Sequence, residues 1–182
     1  MITLPLRVYI SASWKHDLDN EIKITEKLVA NDLLMLPVFP RSASSRDVSS
    51  DYFKKINECD LIIVILGKNY SKHVNNEINC SLNCNKKILC FVKDCARDKK
   101  LEKEIIELQN KRIVTKQFEH VEDLKNSIKE SIIELLSEKF KDYLEIERTI
   151  LQLINDGKIE VLKPKSLQSE YIDVPRINPF EK

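Results

Sequence analysis

The stretch DLIIVIL, residues 60–66, carries six consecutive apolar side chains behind a single acid. A strand with one face in water alternates apolar with polar residues, whereas a strand covered by helices on both faces reads as an unbroken apolar run. This stretch is therefore read as the central strand of a sheet sandwiched between helices. KKILCFV, residues 86–92, repeats the pattern on its C-terminal side.

Working outward, LRVYISA (6–12) is a short β-rich run, and residues 17–32 place Leu18, Ile22, Thr25, Leu28 and Val29 at helical spacing. LLMLPVF (33–39) reads as a second strand. The polar, Ser-rich PRSASSRDVSS (40–50) is long enough to be a candidate binding loop. Residues 51–59 form a helix with Tyr52, Phe53 and Ile56 inward, residues 99–110 a charged helix, and RIVT (112–115) a short fifth strand.

Five such β-α units predict an α/β domain with a flavodoxin-like, doubly wound, five-stranded parallel sheet, because right-handed crossovers put helices on both faces. The expected strand order is 2-1-3-4-5, with ligands bound beyond the carboxyl ends of the strands where the order reverses, between strands 1 and 3. Three loops converge there: residues 11–17, 40–50 and 67–77. From 119 to 156 the chain has neither Gly nor Pro and keeps an apolar stripe through Leu124, Ile128, Ile132 and Leu135, then Tyr143, Leu144, Ile150 and Leu151. One long helix or two consecutive helices fit equally. The domain reading is 1–140 for the α/β domain and 141–182 for a C-terminal helical extension and extended tail.

Composition narrows the function classes. The 182 residues are 42% hydrophobic, with a formal net charge of +1, so there is no bulk electrostatic case for nucleic acid or an anionic membrane. No apolar stretch nears the ~20 residues of a membrane span, and the first residues show neither a basic leader nor a small-residue cleavage site, so the expected location is cytoplasmic. The two glycines, Gly67 and Gly157, cannot compose a dinucleotide or P-loop motif. Five cysteines without a CxxC pair indicate neither a disulfide framework nor a zinc ribbon. Cys80 and Cys84 stand four apart, but nothing completes a metal set, and buried thiols are the reading. His16 and His73 fall in the site loops without a recognisable triad partner.

RVYISASWKHDLDNEI, DYFKKINECDLIIVILGKNYSKHVNNEI and KKILCFV together resemble the TIR-like superfamily, in particular prokaryotic domains opening on a Ser-Ser-Thr-Phe-Lys-Asp type segment. In TIR domains the third strand is followed by a Ser, then Trp-Cys or Trp-Val, two residues and a Glu. Ser71, His73, Val74 and Glu77 occupy those places here. The resemblance covers the first half to two-thirds of the chain. It departs at His73, which stands for the usual Trp, and in the loop after strand 2, which has no Gly and only Pro40. Both bear on the loop geometry that admits nicotinamide.

The resemblance implies NAD nucleosidase activity, cleaving the nicotinamide-ribose bond with Glu77 near the ribose, and a role in stress or phage defence. NAD or a related nucleotide would be substrate, with no further cofactor and no metal. A carboxylate beside the ribose suits the chemistry, since N-glycosidic cleavage passes through an oxocarbenium-like state. At the start of a helix, Glu77 is also expected to be kept ionised by the macrodipole. Ser11, Ser13 and Ser71 would hydrogen-bond ribose hydroxyls or cap helices, and Trp14 would stack on a base or cover the sheet edge. Arg41 and Arg46 would pair with pyrophosphate or remain a solvated loop. Two other readings stay open: a TIR-like interaction module self-associating through the domain or the C-terminal helix, and a nucleoside 2-deoxyribosyltransferase-like enzyme, whose Gly-Pro after strand 1 is absent here.

Overall fold

The computed structural model describes residues 5–13, 17–40 and 48–156. The chain divides into two compact units, Met1–Ser137 and Glu138–Lys182. In the first, β1 (Arg7–Ala12), β2 (Leu36–Val38), β3 (Leu61–Leu66), β4 (Lys87–Lys93) and β5 (Thr115–Phe118) form one parallel sheet in the order β2-β1-β3-β4-β5. The helices between them are α1 (Asp19–Lys27, continued by a π-helical turn over Leu28–Asp32), α2 (Val48–Asn57), α3 (Lys72–Asn83) and α4 (Lys99–Asn110). The last, α5, runs unbroken over Val121–Asn155, so the C-terminal apolar stripe belongs to one helix.

The apolar run that opened the sequence reading is buried at every position of β3. Its alternate residues feed two cores. Ile63 and Ile65 join Val8, Ile10 and Phe91 under α1 and the first part of α5, through Leu18, Ile22, Leu124 and Ile128. Ile62 and Val64 join Tyr9 and Cys90 under α2, α3 and α4, through Ile56, Val74, Ile78 and Leu108. β1 lies between β2 and β3, with Val8 opposite Leu61 and Ser11 opposite Val64, so the order reverses at the β1–β3 seam.

Two strands depart from expectation, each for a local reason, and so does one side chain. β2 is three residues long because Leu33 and Met35 donate backbone hydrogen bonds to Leu28 and Val29, closing the π turn, and Leu34 takes a left-handed conformation. The fifth strand is Thr115–Phe118, three residues later than expected. Arg112, at φ 63, and Ile113 turn back onto Gln109 and Leu108 to close α4 before the strand begins. Phe53 is 53% exposed, so Ile56 and Tyr52 alone of the expected trio face inward from α2. The helix expected over 17–32 is present as α1 and its π turn, with Leu18, Ile22, Thr25, Leu28 and Val29 all buried.

Candidate active site

Period-two alternation along β1 sends Arg7, Tyr9 and Ser11 to the face covered by α2 and α3. Ser11 is the penultimate residue of the strand and fully buried, so its hydroxyl sits just inside the carboxyl edge of the sheet. It donates a 2.6 Å hydrogen bond to Oε2 of Glu77. The two residues are 66 apart in sequence, and α3 brings the carboxylate across to β1.

The carboxylate of Glu77 is removed from water, at 4% exposure. Burial pushes its pKa up, opposed by the Ser11 hydrogen bond, by Tyr9 and by the charge of His73. Desolvation wins because an ion loses more by leaving water than one or two neutral donors return. The macrodipole expectation fails on position: α3 begins at Lys72 and has no acid in its first turn, whereas Glu77 is its sixth residue. A dipole felt only over the first turn does not hold this group ionised.

Tyr9, two residues before Ser11, is the part of this arrangement that the sequence reading missed. It is fully buried, and its hydroxyl approaches the same carboxylate closely enough to shift its titration. Among the described residues, however, the hydroxyl meets no partner at hydrogen-bonding geometry. Its own ionisation is driven upward first by burial and then by the Glu77 charge, so it stays a neutral phenol. The signal was available: once Ser11 faces the helix, the residue two earlier must share that face.

The other serines divide. Ser71 is the N-cap of α3, its hydroxyl accepting from the Val74 amide, which gives it the capping role of its two alternatives. Ser13 is buried and, with Gly67, Tyr70, Ser71, Asn75 and Glu104, lines a cavity of about 10 Å³ at the end of β3, room for a single water. Glu77 does not line that cavity. His73 is exposed, one turn before Glu77 on α3. Trp14, Arg41 and Arg46, expected to hold base and pyrophosphate, lie outside the described residues, as does His16.

The loops after β1 and β3 are tied together beside this site. Asp17 Oδ2 accepts from the Lys68 amide at 2.9 Å, and a Cβ on Gly67 would stand 2.5 Å from the same oxygen. Lys93, at the end of β4, pairs with the buried Glu21 of α1 and also donates to the Asp17 carbonyl. Farther along, Asp98 caps α4 and accepts from the Tyr70 amide at 2.6 Å. No group of three or more His, Cys, Asp or Glu among the described residues could hold a metal ion. The thiols of Cys59 and Cys80 are pushed up to about 11 and that of Cys90 to about 12, in each case chiefly by burial, as suits inert core cysteines. No helix among the described residues is long and apolar enough to cross a membrane.

No family model matches the chain, and no curated protein matches it by sequence. Among solved structures, it is similar to the CMP N-glycosidase BcmB of Clostridium botulinum at 17% identity and a TM-score of 0.53, over 68% of this chain and 98% of that one. At that identity the likeness is one of fold. In this chain the doubly wound arrangement places Glu77 and Ser11 at the reversal of strand order.

Proposed function

We propose that this chain cleaves the N-glycosidic bond of a nucleotide, with Glu77 as the carboxylate that meets the sugar. One observation carries the reading: a lone acid from α3 is buried against β1, at the carboxyl edge where the strand order reverses, and is held by a serine hydroxyl. Buried carboxylates are costly, and such costs are concentrated at working sites. The fold likeness to a CMP N-glycosidase supports the same reaction class.

In this reading the C1′–N bond breaks with its electron pair passing to the base nitrogen. The sugar is left as an oxocarbenium-like cation, whose positive charge faces the Glu77 carboxylate. Water then adds to C1′, and its proton passes to the Glu77 carboxylate and on to solvent. Ser11 holds one carboxylate oxygen, fixing the group's rotamer and favouring its charged form. A base that departs as a neutral molecule, as nicotinamide does from NAD, needs no proton. Cytosine needs one, which the raised pKa of Glu77 would let it supply.

The finer reading, a TIR-like NAD nucleosidase, rests on the spacing of Ser71, Val74 and Glu77 after the third strand. The test is a panel of NAD, CMP and other nucleoside monophosphates incubated with the full chain at several protein concentrations. Free base is followed by chromatography, with Glu77→Gln as control, and an acceptor base is added to detect transfer. Release of nicotinamide alone selects the NAD reading, and release of a base from a monophosphate selects the nucleotide-glycosidase reading. No release from any member refutes the proposal.

A further inference from the structure

Residues 138–155 of α5, in the second unit, form a helical stretch about 27 Å long at 1.5 Å per residue. Phe140, Tyr143, Ile146, Ile150 and Leu151 are between 45% and 63% exposed. At about 100° per residue they fall within an arc of about 140°, opposite Lys141, Glu145 and Arg148. If each offers on the order of 100 Å² of apolar surface, the face presents about 500 Å², at the upper end of what a monomer leaves in water. Two such faces together bury about 1,000 Å², the lower bound for a specific interface.

Two charges interrupt the apolar face, Lys139 and Glu147. They are opposite in sign and symmetric about Tyr143, four residues to either side. Among the described residues Lys139 pairs with Asp142 at 3.8 Å, with both side chains more than 60% exposed, a pairing worth little. An antiparallel two-fold pairing centred on Tyr143 sets Lys139 of each copy within a turn of Glu147 on the other. It also brings the two Tyr143 rings together, packs Phe140 near Ile146, and sets Ile150 near Leu136 of the other copy, itself 44% exposed.

We propose that this face of α5 is a homodimer interface, pairing two copies of the chain antiparallel about Tyr143. The self-complementary placement of the two charges singles out a second copy as the occupant. A foreign partner would have no need for the interruptions to mirror one another.

The test is sedimentation equilibrium of the full chain across a concentration series, with circular dichroism to confirm that each variant is folded. The wild-type chain should approach twice its monomer mass, and Tyr143→Lys should weaken association at least about tenfold. Lys139→Glu and Glu147→Lys alone should each weaken it about threefold or more, and the double reversal should recover it to within about twofold of wild type. A chain monomeric at every concentration overturns the proposal. So does a dimer that ignores Tyr143→Lys, or a double reversal no tighter than the single ones.

Discussion

Replacing Glu77 by Gln should raise stability while it removes activity. The amide keeps the shape of the carboxyl group, and its carbonyl oxygen can still accept from Ser11. The charge that is costly at 4% exposure disappears, and a new N–H donor would face the Tyr9 hydroxyl, which has no hydrogen-bond partner among the described residues. Because burial holds the folded-state pKa of Glu77 above its unfolded value, the native chain binds the proton more tightly than the unfolded chain. Its contribution is therefore fully favourable below the ordinary carboxylate range and is lost as pH rises through the folded pKa, at about 1.4 kcal/mol per pH unit across that window. Above it, Glu77→Gln should exceed wild type by about 1–3 kcal/mol, the usual penalty of a buried group short of partners. Below it, the two should converge. Urea denaturation at pH 4 and pH 8 reads both. A variant destabilised at pH 8, or a difference independent of pH, would refute the claim that desolvation dominates at this carboxylate.

The neighbouring side chains make separate predictions. Ser11→Ala removes the donor that favours the charged carboxylate, so it should cost about 1.5–3 kcal/mol above the Glu77 transition. The acid limb of the pH–rate profile should move upward, and an unmoved limb counts against Ser11 as the holder of Glu77. Tyr9→Phe deletes a buried hydroxyl that has no partner among the described residues and should change stability by no more than about 1 kcal/mol, in either direction. A loss of several kcal/mol in thermal melts would mean that the hydroxyl is well bonded. Gly67→Ala would put a Cβ 2.5 Å from Asp17 Oδ2 and 3.0 Å from Leu18 Cγ, both held in place, so denaturation should show a loss of about 1–3 kcal/mol.

How far the sequence could be read depended on which force decided each feature. β3 is buried on both faces, and β4 over residues 90–92, and burial writes an apolar run into LIIVIL and ILCFV; with the β-α spacing, those two runs lead to the sheet order. β5 left no such mark. Only Phe118 of TKQF is buried, so the more apolar RIVT before it drew the assignment, although Ile113 is spent on closing α4. The position of Glu77, in the helix after the third strand, was legible. Its ionisation was not, because that depends on α3 carrying it past the first turn and against β1. Tyr9 was hidden for a related reason: an aromatic in a strand reads as core until a charge is seen to face it.

The central claim, that Glu77 serves bond breaking at C1′ of a nucleotide, is tested most directly by running the reaction in ¹⁸O-labelled water and weighing the products by mass spectrometry. Free base together with a sugar product carrying one ¹⁸O at its anomeric carbon, formed by the wild-type chain and lost in Glu77→Gln, is the result predicted. Label appearing in phosphate instead, or equal sugar labelling by both proteins, would contradict it.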